Sequence, residues 1–333
     1  MALRIAINGF GRIGRMVTRV IQKYKDVKLV AINDLATIDM AVYLLKYDSV
    51  HKNFPLPVEK KDNSNIQIGE DIVRYTSISN SKELDFGEVK ADVVLECSGV
   101  FLTSSEVSHH LDRGVKKVII SAVAKDNTPT FVLGVNEDSY NGEKIISNGS
   151  CTTNCLAPIA KLLDTHYGIE KGLMTTIHSY TNGQNLLDSK HPSDLRRSRA
   201  AAQNLIPTTT NAAKGIYKVL PSLKGKLHGQ SVRVPVADVS MMDLTLVLSG
   251  NTDEYEINEL LNKASQNELN GIILVDKDKR VSSDFLTSSY SSIIATDLTQ
   301  VIGGNLVKIM AWYDNESGYS NRLVEMAKYI TNK

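Results

Sequence analysis

Two thiols stand four residues apart in the stretch SNGSCTTNC, residues 147–155. Three chemistries could use them: metal coordination, a disulfide, or nucleophilic attack by one of the pair. Zinc takes about four ligands, with a Cys-x2–4-Cys pair completed by a second Cys or His pair. Here the one remaining thiol, Cys97, falls in an apolar run that reads as a buried strand, and no His-x3–5-His pair follows Cys155. No metal site is expected. A disulfide between residues one helical turn apart needs two Cβ vectors to converge without strain, and three cysteines in 333 residues make no disulfide framework. The nucleophile has positive support. Ser150 reads as the N-cap of a helix running from about Thr152 to Tyr167, which puts Cys151 at its start. The helix dipole there favours the thiolate, the reactive form of the side chain. Cys155, one turn further in, loses that benefit and reads as a small core residue.

A nucleophilic cysteine is usually activated by a neighbouring base. Of seven histidines, His178 lies centrally in LMTTIHSYT, residues 173–181, a predicted strand, while the others fall in loops, helices or charged surroundings. By itself a strand histidine is more often a satisfied core residue, and spacing alone does not bring His178 to Cys151.

The elements that must position these groups come in two styles. The first half alternates apolar strands with helices: LRIAI (3–7), KLVAIND (28–34), ADVVLECSG (91–99), KKVIISA (116–122), TFVLGV (130–135) and EKIIS (143–147). Between two of them, TSSEVSHHLDRG (103–114) begins with a capping box, Thr103 with Glu106, and ends on a glycine. This is the pattern of an α/β domain built on a doubly wound parallel sheet. After the helix at 152–167 the style changes to long strands: 173–181, SVRVPV (231–236), VSMMDLTLVLSG (239–250) and NLVKIMAWYD (305–314). An α+β domain with a mixed or antiparallel sheet is expected there, over residues 150–314, following a first domain of residues 1–149. A closing helix, 316–332, must dock on one of them.

Straight after the first strand, INGFGRIG sets Gly9, Gly11 and Gly14 in G-x-G-x-x-G spacing before a helix. Such glycines allow a tight turn and a close approach of backbone to pyrophosphate, and the helix N-terminus offers its N–H groups to the phosphates. Asp34 ends the next strand twenty residues after Gly14, where a carboxylate bonds a ribose 2′-hydroxyl and repels a 2′-phosphate. The cofactor indicated is NAD.

Cations gather in the second half. SDLRRSR holds Arg196, Arg197 and Arg199, and Arg233 interrupts the apolar strand SVRVPV, where its charge must be met by an anion or a partner. PTTTNAAK (207–214) adds a threonine-rich helix entry, a candidate anion site. These groups exceed what a dinucleotide needs, so the substrate is expected to be phosphorylated. The formal net charge of +1 excludes a general affinity for nucleic acid or anionic membrane, and no window holds the ~18–20 apolar residues of a membrane span. The start, MALRIAINGFG, lacks the basic and apolar regions of a secretory signal, so a cytoplasmic location is expected.

Six stretches, INGFGRIGR, SNGSCTTNCLAP, HSYT, RRSRAAAQNLIPTTT, VRVP and WYDNESGYSNR, resemble in order and spacing the phosphorylating glyceraldehyde-3-phosphate dehydrogenases, from residue 3 to about residue 330. The resemblance implies a Rossmann-type domain completed by the C-terminal helix (315–333), a catalytic domain, and a homotetramer with the loop near 180–205 at an interface. It implies Cys151 as nucleophile and His178 as base, acting on glyceraldehyde 3-phosphate with inorganic phosphate as second substrate. Thr181 and Arg233 would hold the substrate phosphate and Arg197 would stand between two anion sites. Ser150, Thr152 and Thr210 would line the site of the attacking phosphate. On the cofactor side it implies backbone contacts at Arg12 and Ile13, further contacts at Ser98, Gly99 and Ser121, and Asn315 on the nicotinamide amide.

Four departures from the usual pattern stand out: Gly149 for alanine, Val123 for proline, Asn211 for glycine, and one extra residue in LLDSKHPSDLRR that moves a proline to Pro192. The last leaves NADP as a second cofactor to test beside NAD. A related enzyme, erythrose-4-phosphate dehydrogenase, shares the cysteine, histidine and glycine loop, but the full phosphate set of Thr152, Thr210 and Arg197 leans away from it. A binding or adhesive role would be secondary to an intact Cys151 and His178. A cysteine hydrolase would need no dinucleotide loop.

Overall fold

The computed structural model describes residues 2–210 and 212–333, so Asn211 lies outside the described residues. Two compact units divide the chain: one takes residues up to Phe131, Asp138–Gly149 and Ser320–Lys333, the other Val132–Glu137 and Ser150–Tyr319.

In the first unit the order is β1 (Leu3–Asn8), α1 (Arg12–Ile21), β2 (Val27–Asn33), α2 (Ile38–Lys46), β3 (Val58–Lys60), β4 (Asn65–Ile68), β5 (Asp71–Thr76), β6 (Val93–Glu96), α3 (Ser104–Val107), α4 (His109–Asp112), β7 (Lys117–Ile120) and β8 (Ile145–Ser147). Runs with no polar alternation become strands covered on both faces: Ile5, Ala6, Ile7, Val93, Val94 and Leu95 are all fully buried. Six strands, β5-β2-β1-β6-β7-β8, are parallel neighbours in that order. Chain order reverses at β1, which lies between β2 and β6. In such sheets ligands gather at the carboxyl ends of the strands flanking that reversal.

Three sequence expectations need correction. The sheet is not wholly parallel, because β3, β4 and β5 join antiparallel at one edge. Those strands bury only one or two residues each beside polar or exposed ones, so no continuous apolar run announces them. TFVLGV is not a strand. Only Thr130 pairs, with Ser147, and the side chains of Asn136 and Glu137 take the N–H groups of Val132, Gly134 and Val135 that a ladder would need. The segment 103–114 forms two short helices, α3 and α4, although Glu106 accepts the Thr103 N–H as the capping box requires (2.9 Å).

Helix α4 buries His110, which is 1 % exposed and has no partner for either ring nitrogen among the described residues. Burial, with the neighbouring His109 adding to it, holds its pKa down at about 3, against an ordinary 6.5. The unfolded chain therefore takes a proton that the folded chain refuses. Stability is whole above pH ~6.5 and falls by about 1.4 kcal/mol for each pH unit below it, until the folded pKa is reached. In an acid titration followed by circular dichroism, His110→Leu should keep its structure to a lower pH than the unaltered protein.

The second unit runs α5 (Cys151–Tyr167), β9 (Ile169–Ser179), β10 (Ile206–Thr209), α6 (Ala212–Val219), β11 (Leu227–Val234), β12 (Ser240–Leu248), α7 (Glu254–Gln266), β13 (Ile273–Asp276), β14 (Ser292–Ala295), β15 (Gln300–Ile302) and β16 (Leu306–Tyr313). Its sheet has the order β10-β11-β9-β12-β16-β14-β13, with β15 beside β16. The pairs β9–β11 and β13–β14 are parallel and the rest antiparallel. Helix α5 lays Cys155, Leu156, Ile159, Ala160 and Leu163 into a core shared with Leu244, Leu246, Ile309 and Ala311 of that sheet. The last helix, α8 (Ser317–Asn332), groups from Ser320 onward with the first unit. There Lys328 pairs with Asp26 (2.8 Å), Tyr24 donates to Glu325 (3.2 Å), and Leu323, Val324 and Ala327 are fully buried.

Candidate active site

Ser150 caps α5: its Oγ accepts the backbone N–H of Thr153 (3.1 Å), and its extended backbone starts the helix at Cys151. The Cys151 side chain therefore leaves the first helical position, where the positive end of the dipole lies. In the same unit His178 occupies the end of β9, and its Nε2 stands 3.6 Å from Cys151 Sγ. Nδ1 lies 2.7 Å from the carbonyl of Ser179, and a ring proton placed there bonds that carbonyl and leaves Nε2 bare toward the sulfur. Parallel pairing sets Arg233 of β11 directly beside His178. Its Nη1 donates to that same carbonyl (2.9 Å) and lies 2.6 Å from His178 Nδ1.

Burial pushes the Cys151 thiol up, and the Arg233 charge opposes it only in part. Burial also pushes His178 down, to about 3, with Arg233 adding to the effect. Burial at Cys151 thus works against the thiolate that the helix end favours. Both shifts favour the neutral pair, a thiol beside an unprotonated imidazole, and a proton passed from sulfur to imidazole would turn it into an ion pair. The two charges so formed would stand 3.6 Å apart and attract each other.

Several expected residues are engaged in ways the sequence did not disclose. Thr152 is 4 % exposed and its hydroxyl bonds Tyr313 (2.9 Å), which also bonds Thr176 (2.6 Å). Burial keeps the Tyr313 phenol protonated, and its ring meets that of His178 edge-on, with centroids 5.9 Å apart. Tyr313 was missed; its signal was an aromatic hydroxyl closing the strand NLVKIMAWYD. Arg197 donates from Nε to Thr208 (2.9 Å), whose hydroxyl donates to Asp194 (2.7 Å), and Asp194 also pairs with Arg197 (3.4 Å). Arg197 is close enough to Arg233 to oppose its charge. Thr210 accepts the N–H of Ala212 (3.1 Å) and opens α6, while Thr181 donates N–H and hydroxyl to Gln184 (2.7 and 3.2 Å). Asn315 is buried, with Oδ1 accepting from Ser179 (2.8 Å) and Ser240 (2.7 Å), which leaves its NH2 group to donate. Direct contact thus joins Cys151, His178 and Arg233; the remaining phosphate-side residues are held by their own partners.

In the first unit Gly9 turns at φ +93°, and a Cβ there would meet Ser98 N at 2.4 Å; a Cβ on Gly14 would meet Gly9 O at 2.2 Å. Gly11 is the N-cap of α1 and offers no side-chain acceptor to the first-turn N–H groups, and a Cβ on it would enter open space. The Arg12 guanidinium is taken by Asp48, so Arg12 and Ile13 present backbone. Asp34 accepts the N–H of Phe10 (2.6 Å) and of Ala36 (2.9 Å), which fixes its carboxylate against the glycine turn with acceptor capacity left for hydroxyls. Ser98 gives both N–H and hydroxyl to Glu96, Gly99 follows at φ +72°, and the Ser121 N–H bonds the Glu96 carbonyl (3.0 Å). Open backbone at a helix N-terminus beside a fixed carboxylate fits an anionic dinucleotide with a free ribose hydroxyl.

Two family models match the chain. Residues 3–104 match "Glyceraldehyde 3-phosphate dehydrogenase, NAD binding domain" and residues 150–315 match "Glyceraldehyde 3-phosphate dehydrogenase, C-terminal domain". The chain is 47 % identical over 335 residues to glyceraldehyde-3-phosphate dehydrogenase of Geobacillus stearothermophilus, covering 100 % of this chain and 99 % of the relative. It is 47 % identical to that of Bacteroides fragilis, covering 99 % and 100 %. A chloroplastic glyceraldehyde-3-phosphate dehydrogenase of Arabidopsis thaliana is 46 % identical, with 99 % of this chain and 84 % of the relative covered. Among the described residues no helix is long and apolar enough to cross a membrane.

Proposed function

The chain belongs to the glyceraldehyde-3-phosphate dehydrogenase family and is an NAD-dependent oxidoreductase, and on that premise we propose how its residues carry out the oxidation and phosphorylation of glyceraldehyde 3-phosphate. One observation carries the reading: a cysteine at a helix N-terminus with a histidine Nε2 3.6 Å from its sulfur.

His178 takes the Cys151 proton, and the thiolate adds to the aldehyde carbon. The oxygen of the adduct receives that proton back and becomes the hydroxyl of a thiohemiacetal. His178 then removes the hydroxyl proton as hydride leaves the same carbon, and a thioester on Cys151 remains. NAD, when bound, supplies the acceptor for that hydride. An oxygen of inorganic phosphate attacks the thioester carbonyl, the C–S bond breaks, and 1,3-bisphosphoglycerate departs with Cys151 restored. Arg233 and Thr181 hold the substrate phosphate. Arg197, Thr210, Ser150 and the backbone at Thr152 receive the attacking phosphate. Asn315 steadies the nicotinamide amide through its NH2 group.

The relatives' common name favours this substrate over erythrose 4-phosphate. Exposed Leu186, Leu187, Leu195 and Leu205 give the 180–205 region apolar surface suited to a homotetramer, a state light scattering reads directly. The proposed location is the cytoplasm.

The test supplies glyceraldehyde 3-phosphate, NAD and phosphate and follows reduced-cofactor absorbance, with NADP and erythrose 4-phosphate in parallel. Steady turnover should require phosphate. Formation of no reduced cofactor, or a steady rate indifferent to phosphate, would overturn the phosphorylating assignment.

A further inference from the structure

Four strands of the first unit end on one lateral row. Thr76, Asn33, Asn8 and Glu96 close β5, β2, β1 and β6, and sheet register sets each beside the next. Asn33, Asn8 and Glu96 are 4 %, 2 % and 1 % exposed, so a polar chain runs through the core beneath the cofactor loops. Its direction is explicit. The Ile78 N–H and the Thr76 hydroxyl donate to Asn33 Oδ1 (both 2.9 Å). Asn33 Nδ2 donates to Asn8 Oδ1 (2.9 Å), and Asn8 Nδ2 donates to Glu96 Oε2 (2.6 Å). Glu96 Oε1 accepts the Ser98 N–H (2.8 Å) and the Ser98 hydroxyl.

Every side-chain link along the row thus points toward Glu96, the second Asn33 Nδ2 hydrogen going to the Ile78 carbonyl (3.0 Å), and a carboxylate, which only accepts, ends the chain. Burial pushes the Glu96 carboxyl up, and its three donors work against that. A neutral amide at 96 would set its NH2 either against the NH2 of Asn8 or, turned over, against the Ser98 N–H. Turning Asn8 over would pass the conflict to Asn33, where the fixed Ile78 N–H blocks a further turn. An unmatched buried polar group would remain somewhere in the row. Three of the four members of the row lead into a cofactor loop: Gly9 follows Asn8, Asp34 follows Asn33, and Ser98 with Gly99 comes two residues after Glu96.

We propose that Glu96 is a positioning residue for the dinucleotide, its carboxylate fixing the amide orientations of Asn8 and Asn33 and so holding three cofactor loops in register. This rests on the NAD reading and names residues that touch no substrate. The decisive variant reverses the polarity of one link while keeping net charge. In Asn8→Asp with Glu96→Gln, the new amide donates to the new carboxylate. Asn33 still donates to position 8, and Ser98 still donates to the carbonyl oxygen at 96.

Isothermal titration with NAD reads affinity without turnover, and the unaltered protein tests the cofactor assignment by itself. Each single variant should weaken NAD binding by about tenfold or more and raise KM for NAD in step. The double variant should return to within about threefold of the unaltered protein. Wild-type affinity in Glu96→Gln, or losses in the double that simply add, would overturn the proposal. Should a single variant fail to fold, a native melting transition and NAD titration in the double supports it, and their absence overturns it.

Discussion

Cys151→Ser should lower turnover by about a thousandfold or more while leaving NAD affinity in place. Serine keeps the cap and nearly the volume, so Ser150 still accepts the Thr153 N–H and α5 still begins at the same residue. What is lost is the acidity gap that lets His178 take the proton. A hydroxyl is a far weaker acid than a thiol, and 3.6 Å of separation cannot compensate for that. Cys155→Ser makes the contrast. Cys155 is fully buried in the second unit's core, and its thiol is pushed up to about 12 by burial. Its replacement should cost about 1–3 kcal/mol of stability through a buried hydroxyl and should retain most of the activity. Steady-state rates beside melting curves separate the two effects. Equal losses of turnover in both variants would contradict the division of labour between the thiols.

His178→Asn should lower turnover by about a hundred- to ten-thousandfold. The amide can still bond the Ser179 carbonyl, so local structure should survive. With no group to share its proton, the Cys151 thiol remains under the burial that pushes it up. Alkylation of Cys151 by iodoacetamide near neutral pH should therefore slow by more than tenfold and recover only as the solution becomes alkaline. If alkylation at neutral pH were unchanged, the thiolate would owe its charge to the helix end and Arg233 alone, and His178 would act only later in the reaction.

Much of this was readable in the sequence because it depends on local rules. The glycine spacing, the carboxylate twenty residues on, the serine cap and the two styles of strand pattern each follow from short-range chemistry. The parts that escaped depend on lateral neighbours. Nothing along the chain announces that Asn8, Asn33 and Glu96 share a row, or that Arg233 lies beside His178, because register is set across the sheet. The strands β3 to β5 escaped for a related reason, their exposed charges hiding a half-buried pattern. The strand expected at 130–135 shows the converse: the run is apolar, but Asn136 and Glu137 outbid a ladder for its N–H groups. Desolvation was the other blind spot. A helix N-terminus is visible in sequence, whereas the burial that counteracts it at Cys151 is not.

Arg197 reaches its proposed role already neutralised, since Asp194 pairs with it and Thr208 bridges the two. Phosphate arriving there exchanges one anionic partner for another, and Asp194 waits beside it with Thr208 still at hand. Under that role such an exchange would yield little net affinity and would lower the barrier to departure, because the guanidinium would not be left bare. A short dwell time would follow. For a centre through which phosphate enters and an acyl phosphate leaves in every cycle, the resident aspartate would then act as an escapement, trading tightness of grip for frequency of release.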